Sequence, residues 1–154
     1  QMQIIHVSGT LTWEQVEANA AQLPENLKNY YRPYPYLHEK MGAGFRAADL
    51  IVARAGASML GEGPMFGTPA VLVPYPYAWR YQKVNADYLA ERDAAVRLDD
   101  EKLEAELLPL VLDLMNDRQK RNDMADKAAA LKTPNAAREL AQLLLSMKKG
   151  STHD

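Results

Sequence analysis

The residues best placed to do chemistry lie between 56 and 85. They are a small-residue turn at Gly56, Ala57 and Ser58, a carboxylate at Glu62, a corner at Tyr75, Pro76 and Tyr77, and two amides at Gln82 and Asn85. The turn follows the apolar run LIVARA and precedes a helical segment, so it leaves unpaired backbone N–H groups at a helix N-terminus, a setting that favours anions. Glu62 falls about one helical turn beyond Ser58. A carboxylate there accepts two hydroxyl hydrogen bonds, as a ribose diol would offer. Gln82 and Asn85, three apart, share one side of the next helix. Taken singly, each is ordinary: a tight connection, a solvated acid, two wet amides, packing tyrosines. Their joint placement at one end of two successive strands suits a sugar nucleotide.

Other chemistries find no support. The string GAGFRA, residues 42–47, satisfies the dinucleotide pattern G-x-G-x-x-A, but it follows the polar HEK and precedes a strand. Its glycines therefore belong inside or at the end of a helix, and a nicotinamide site is rejected. GASMLGE carries Glu62 where a phosphate-binding lysine would stand, so no ATPase is indicated. There is no cysteine, and His6, His38 and His153 are far apart without ligand spacing, so neither a metal nor any other cofactor is expected. A formal net charge of -2 gives no basic field for nucleic acid. No apolar stretch approaches the ~20 residues that cross a bilayer.

The elements that must position these residues are read from periodicity. A chain of 154 residues, 47% hydrophobic and 25% charged, can build its own core, and one domain over 1–148 is expected, with a disordered tail at 149–154. MQIIHVSG reads as a strand, followed by a helix with Trp13, Val16, Ala20 and Leu23 on one face and a capping box from Thr12 to Gln15. YYRPYPYL is at best an edge strand because Pro33 and Pro35 remove ladder donors. Met41 and Phe45 then share a short helix. DLIVARAG and PAVLVPYP are continuous apolar runs, which predicts two central strands covered on both faces. A further helix, the strand AAVRL and three more helices follow. The first of these three carries Leu103, Leu107, Leu110 and Leu114, and the last starts at Thr133 with Ala137, Leu140, Leu144 and Met147 on one face. The alternation predicts an α/β fold with a Rossmann-like parallel sheet and flanking helices.

The stretch AADLIVARAGASMLGEGPMFGTPAVLVPYPYAWRYQKVNADYL closely resembles the MurG-type UDP-N-acetylglucosamine transferases in their C-terminal, donor-binding half. The shared pattern is R-A-G-A-S-x-x-x-E, then G-x-P-A-x-L-V-P-Y-P, then Q-x-x-N-A, and similarity runs more loosely from IIHVSGT to the final helix. Such enzymes move N-acetylglucosamine from UDP-GlcNAc to the lipid-linked muramyl-pentapeptide of peptidoglycan. The resemblance implies a GT-B C-terminal half in which the match to Glu62 holds the ribose and the matches to Ala57, Ser58 and Met59 line the diphosphate and ribose. It gives uracil to the segment YLHEKM, at Leu37 with Met41 packing nearby. It directs Gln82 to the transferred sugar and puts Asn85 in the same motif. Tyr81 stands where relatives commonly have a polar His or Gln.

It also implies what surrounds this stretch. Gln1 directly precedes an apolar run and reads as a cut end, too late to include the family's first strand and its Gly-rich phosphate loop. The acceptor domain, with the proposed catalytic base, is expected in a missing N-terminal part or a partner chain. No catalytic residue is therefore assigned here, and this chain alone is expected to be inactive. The alternatives are a non-catalytic or engineered remnant and the donor subunit of a two-chain lipid-linked UDP-GlcNAc transferase. The whole enzyme would be a peripheral protein on the cytoplasmic face of the cell membrane. In the strand order 3-2-1-4-5-6 the absent strand is central. Either residues 3–7 then close directly onto residues 50–54, or a second copy fills the sheet gap as a homodimer.

Overall fold

Ile4, Ile5 and Val7 are β-branched and form strand β1 (Ile4–Val7). The computed structural model describes residues 2–78 and 81–150, and the chain divides into two compact units, Gln1–Ala47 and Ala48–Asp154. In the first unit, helices α1 (Trp13–Ala21) and α2 (Glu25–Lys28) return the chain to β2 (Tyr31–Tyr34), which lies parallel to β1 from the pair Ile4–Tyr31 to the pair Val7–Tyr34. Pro33 sits opposite His6, as an edge strand allows. Thr12 does occupy the N-cap of α1, but the capping box is not made. Its hydroxyl donates to the carbonyl of Ser8 at 2.8 Å, so it is committed to the incoming turn rather than to a helix amide. A 3-10 turn at His38–Lys40 leads into α3 (Met41–Ala47), which takes in Gly42 and Gly44, so GAGFRA is helix interior as expected.

The second unit alternates β3 (Ile51–Ala53), α4 (Ala57–Phe66), β4 (Ala70–Leu72), α5 (Tyr81–Ala90) and β5 (Ala95–Arg97), and then runs through α6 (Leu103–Asn116), α7 (Arg118–Ala130) and α8 (Ala136–Gly150). Its three strands are parallel in the order β3-β4-β5, with Ile51, Ala70 and Ala95 in register. All three residues of β4 are buried, which is what its continuous apolar run predicts. β3 departs from expectation: it is an edge of this sheet, and Val52 is 45% exposed. Within each unit the ladder bonds of β1 go to β2 and those of β3 to β4. Each strand pairs with the one its own crossover helix leads to, the usual preference for sequence neighbours.

The core of this unit gathers Val71, Val73, Leu98, Leu114 and Met124, with Leu103, Leu107 and Leu110 of α6 packed against it. It thus lies directly beneath the carboxyl ends of β4 and β5. α4 loses one ladder bond at the buried Pro64 and stops at Gly67, whose φ of 62° is left-handed and whose N–H bonds to Pro64 O at 3.1 Å. A Cβ at Gly67 would meet Ala129 on α7 at 3.4 Å, an ordinary van der Waals contact, so the left-handed φ rather than space favours glycine there. α8 begins at Ala136, after a turn in which Ala136 N donates to Thr133 O. Its predicted apolar face is present but uncovered: Leu140, Leu144 and Met147 are exposed. Of the tail expected from 149, residues 149 and 150 close α8, and 151–154 lie outside the described residues.

Candidate functional site

The carboxyl edge of the three-stranded sheet is where an α/β fold binds ligands. The chain leaves β3 through Arg54 and Ala55 into Gly56, the N-cap of α4, which is extended at φ -63° and ψ 163°. Met59 N donates to Gly56 O at 3.0 Å, while the amides of Ala57 and Ser58 belong to the open first turn. Ala57, Ser58 and Glu62 are exposed. Met59 is 5% exposed and packs in the interior, so only its backbone can reach the mouth. A Cβ built on Gly56 would meet nothing within 4 Å. Neither φ nor packing requires glycine at this turn, and the space beside it is open.

The two amides on α5 are engaged with this edge. Asn85 Nδ2 donates to Ala55 O at 2.9 Å and so orients the residue preceding the Gly56 turn. Gln82 Oε1 accepts from Tyr75 N at 2.9 Å, just past β4. The oxygen faces a backbone donor, so the Nε2 hydrogens of Gln82 are not used in that bond. In the first unit, Leu37 and Met41 are half-buried. Leu37 O accepts from Lys40 N at 2.8 Å, and its Cδ1 lies 3.1 Å from where a Cβ on Gly44 would stand.

Two arginines that the sequence reading passed over organise the same edge. Arg54 pairs with Asp100, reaches Val73 O at 3.4 Å, and stands 5.3 Å from the ring centre of Tyr75. The Tyr75 ring in turn meets Tyr77 edge-on at 5.5 Å. Arg97, the last residue of β5, donates from Nη1 to Asp87 at 2.6 Å and from Nη2 to Asp99. Its Nε–H is buried without a hydrogen-bond partner, so the two carboxylates carry the compensation for burying the head group. The signal was available: arginine inside the apolar strand AAVRL has to find acids.

An open depression of about 760 Å³ lies beside these arginines, lined by Tyr75, Lys83, Arg97, Asp99, Asp100 and Glu101 among others. Three carboxylates against two cations make it a poor seat for a diphosphate, and it includes none of Ala57, Ser58, Glu62, Gln82 or Asn85. The first turn of α4 offers an anion open backbone amides at a helix N-terminus instead. No group of three or more His, Asp or Glu that could hold a metal occurs among the described residues.

The hydrogen bond from Arg97 lowers the Asp99 carboxyl below its ordinary range, while the bonds to Asp87 and then Asp99 raise Arg97. A depressed folded-state pKa stabilises above the unfolded value of about 4 and is lost as pH falls through the folded value. Asp99→Asn should therefore be less stable than the parent chain at pH 6, with the gap narrowing as the pH falls below about 4. Urea midpoints at pH 6 and pH 2.5 check this, and a gap as large in acid as at pH 6 would contradict it.

Comparison with known proteins gives a consistent result. The model of the glycosyltransferase family 28 C-terminal domain matches residues 1–140. A UDP-N-acetylglucosamine--N-acetylmuramyl-(pentapeptide) pyrophosphoryl-undecaprenol N-acetylglucosamine transferase from Roseiflexus sp. is 42% identical, covering 93% of this chain and 37% of its own length. The protein of the same name from Chlorobium phaeobacteroides is 38% identical over 95% and 39%. The crystal structure of Acinetobacter baumannii MurG is similar with a TM-score of 0.78 and 32% identity, over 94% of this chain and 41% of that one. The glycosyltransferase VinC, solved in complex with dTDP, reaches a TM-score of 0.60 at 22% identity and supports the fold alone. The chain spans about two fifths of the length of these curated relatives.

Proposed function

This chain belongs to glycosyltransferase family 28, as that family's C-terminal domain, and on that premise we propose that it binds the UDP-GlcNAc donor for transfer to a lipid-linked muramyl-pentapeptide. The observation that carries the reading is the first turn of α4: a Gly56 cap that its own fold does not require, two exposed amide-bearing residues, and an exposed carboxylate one turn on. The amides of Ala57 and Ser58 face the diphosphate, aided by the positive end of the helix. Glu62 takes the ribose hydroxyls. Gln82 offers Nε2 to the sugar, and Asn85 holds the turn. Leu37 and Met41 keep the uracil role that the family resemblance gives them. We take both units to form one nucleotide-sugar domain, in keeping with a family match that runs from residue 1 to 140.

The reaction is an inverting, metal-independent transfer. An acceptor hydroxyl attacks the anomeric carbon, the bond to the diphosphate oxygen breaks, and the charge growing on UDP is met by amides already oriented towards it. The base and the acceptor site come from outside these 154 residues, so this stretch alone binds without turnover. Among the described residues no helix is long and apolar enough to cross a membrane. The lipid acceptor puts the complete enzyme at the cytoplasmic membrane face.

Titration with UDP, followed by amide chemical shifts, tests the reading. Responses should concentrate at Gly56, Ala57, Ser58 and Glu62, with separate responses at Leu37 and Met41. No response at millimolar UDP would refute it. Gly56→Ala sharpens the test because its two effects have opposite signs. The backbone there is open to any residue, so alanine should raise stability by about 0.4 to 1 kcal/mol. The added methyl should weaken UDP binding by roughly fivefold through the loss of close approach. A variant that is both more stable and equally tight would show that the turn is only a connection.

A further inference from the structure

Resting on the donor reading above, we propose that Arg97 is a positioning residue for the sugar-facing amide of Gln82, acting by holding α5 in its roll angle against the carboxyl edge of the sheet. α5 is tied to the exits of all three strands. Asn85 bonds Ala55 O past β3, Gln82 bonds Tyr75 N past β4, and Asp87 bonds Arg97 at the end of β5.

The ties are arranged as opposing pulls. At about 100° per residue, Asn85 lies about 60° to one side of Gln82 around the helix and Asp87 about 140° to the other. The buried face between them is small, consisting of Ala86 and Leu89. Such a face sets the depth of the helix better than its rotation. The polar ties on either flank therefore set the roll, and releasing one lets the helix turn towards the other. Gln82 sits between them, and its Nε2 moves with any such roll.

Arg97 is built for this more than for stability. Asp87 keeps 36% and Asp99 50% of its side-chain surface in water, so solvent screens both pairs and limits what they add to stability. What they supply is direction: the guanidinium spans Asp87 on α5 and Asp99 on the loop after β5, so the helix is referenced to the strand end. Lysine, with one charged point, cannot span both acids in this way.

The test compares the parent chain with Arg97→Met and Arg97→Lys, using UDP and UDP-GlcNAc as probes and hydrogen exchange at the Tyr75 amide as a structural readout. In both variants the UDP affinity should stay within about twofold. The extra affinity that the parent chain gains from the sugar should fall roughly fivefold, the effect of one misplaced neutral hydrogen bond. Exchange at Tyr75 should quicken by about tenfold as its bond to Gln82 opens. Equal weakening of UDP and UDP-GlcNAc, unchanged sugar discrimination, or full rescue by lysine would overturn the assignment of Arg97 while leaving the donor reading intact. A parent chain that binds neither probe would overturn both.

Discussion

Replacing Glu62 with alanine is expected to lower the affinity for UDP by roughly thirtyfold, the equivalent of about 2 kcal/mol for hydrogen bonds to a charged acceptor. Stability should stay within about 0.5 kcal/mol, because the side chain is exposed. This separation makes the result interpretable: a loss of binding cannot be charged to unfolding. The ribose assignment is tested further by 2′-deoxy-UDP. The parent chain should prefer UDP over the deoxy nucleotide, and Glu62→Ala should discriminate several-fold less, which is the coupling expected of two groups in contact. A variant that loses affinity but keeps the full preference would place the 2′-hydroxyl elsewhere. Glu91→Ala, an exposed acid at the end of α5, serves as the charge control and should leave both affinities unchanged.

The spacing from the Gly56 turn to Glu62 was legible because both follow from the fixed geometry of one short helix. So was the buried strand 70–72, since a run without alternation has few places to go except between two covered faces. The helical placement of GAGFRA came from its neighbours rather than from the glycines. Three features were not legible, for a common reason. The edge position of β3, the exposure of the α8 face and the hydroxyl of Thr12 turning to Ser8 all depend on which group lies alongside. Local pattern reports what a segment can bury or bond, and the partner is chosen by the rest of the chain.

The same limit applies to the candidate site. Gln82 and Asn85 could be recognised as amides on one side of a helix, yet their partners, the backbone N–H of Tyr75 and the carbonyl of Ala55, lie seven and thirty residues away. Those bonds change what the residues can do: half of each amide is spent on the scaffold and the other half is thereby oriented. Met59 illustrates the converse. The motif includes it, but a helix that exposes Ala57 and Ser58 at its start turns the next side chain inward, and its 5% exposure leaves only backbone for a ligand. Arg54 and Arg97 lie in or beside apolar strands, where the local pattern signals burial rather than a site. Charged residues at strand ends are, however, the ones that reach across the edge.

Leu114→Ala should cost about 3 kcal/mol of stability, the middle of the range for emptying a leucine site in a packed interior. Leu114 is fully buried and clusters with Val71, Val73, Leu98 and Met124. Val73 and Leu98 directly follow β4 and β5, so the cavity would open under the strand exits that carry Tyr75 and Arg97. Leu108, exposed on the same helix, provides the comparison: its alanine variant should change stability by no more than about 0.5 kcal/mol. Urea unfolding measures both, and the slope with denaturant should stay constant if only the native packing has changed. A loss below about 1 kcal/mol for Leu114→Ala would mean that α6 collapses into the space. The shift of Val73 should then be visible as a changed environment at the Arg54 contact with its carbonyl. At temperatures where Leu114→Ala remains folded, UDP affinity should be unchanged, because the first turn of α4 is held by Asn85 and the end of β3 rather than by α6.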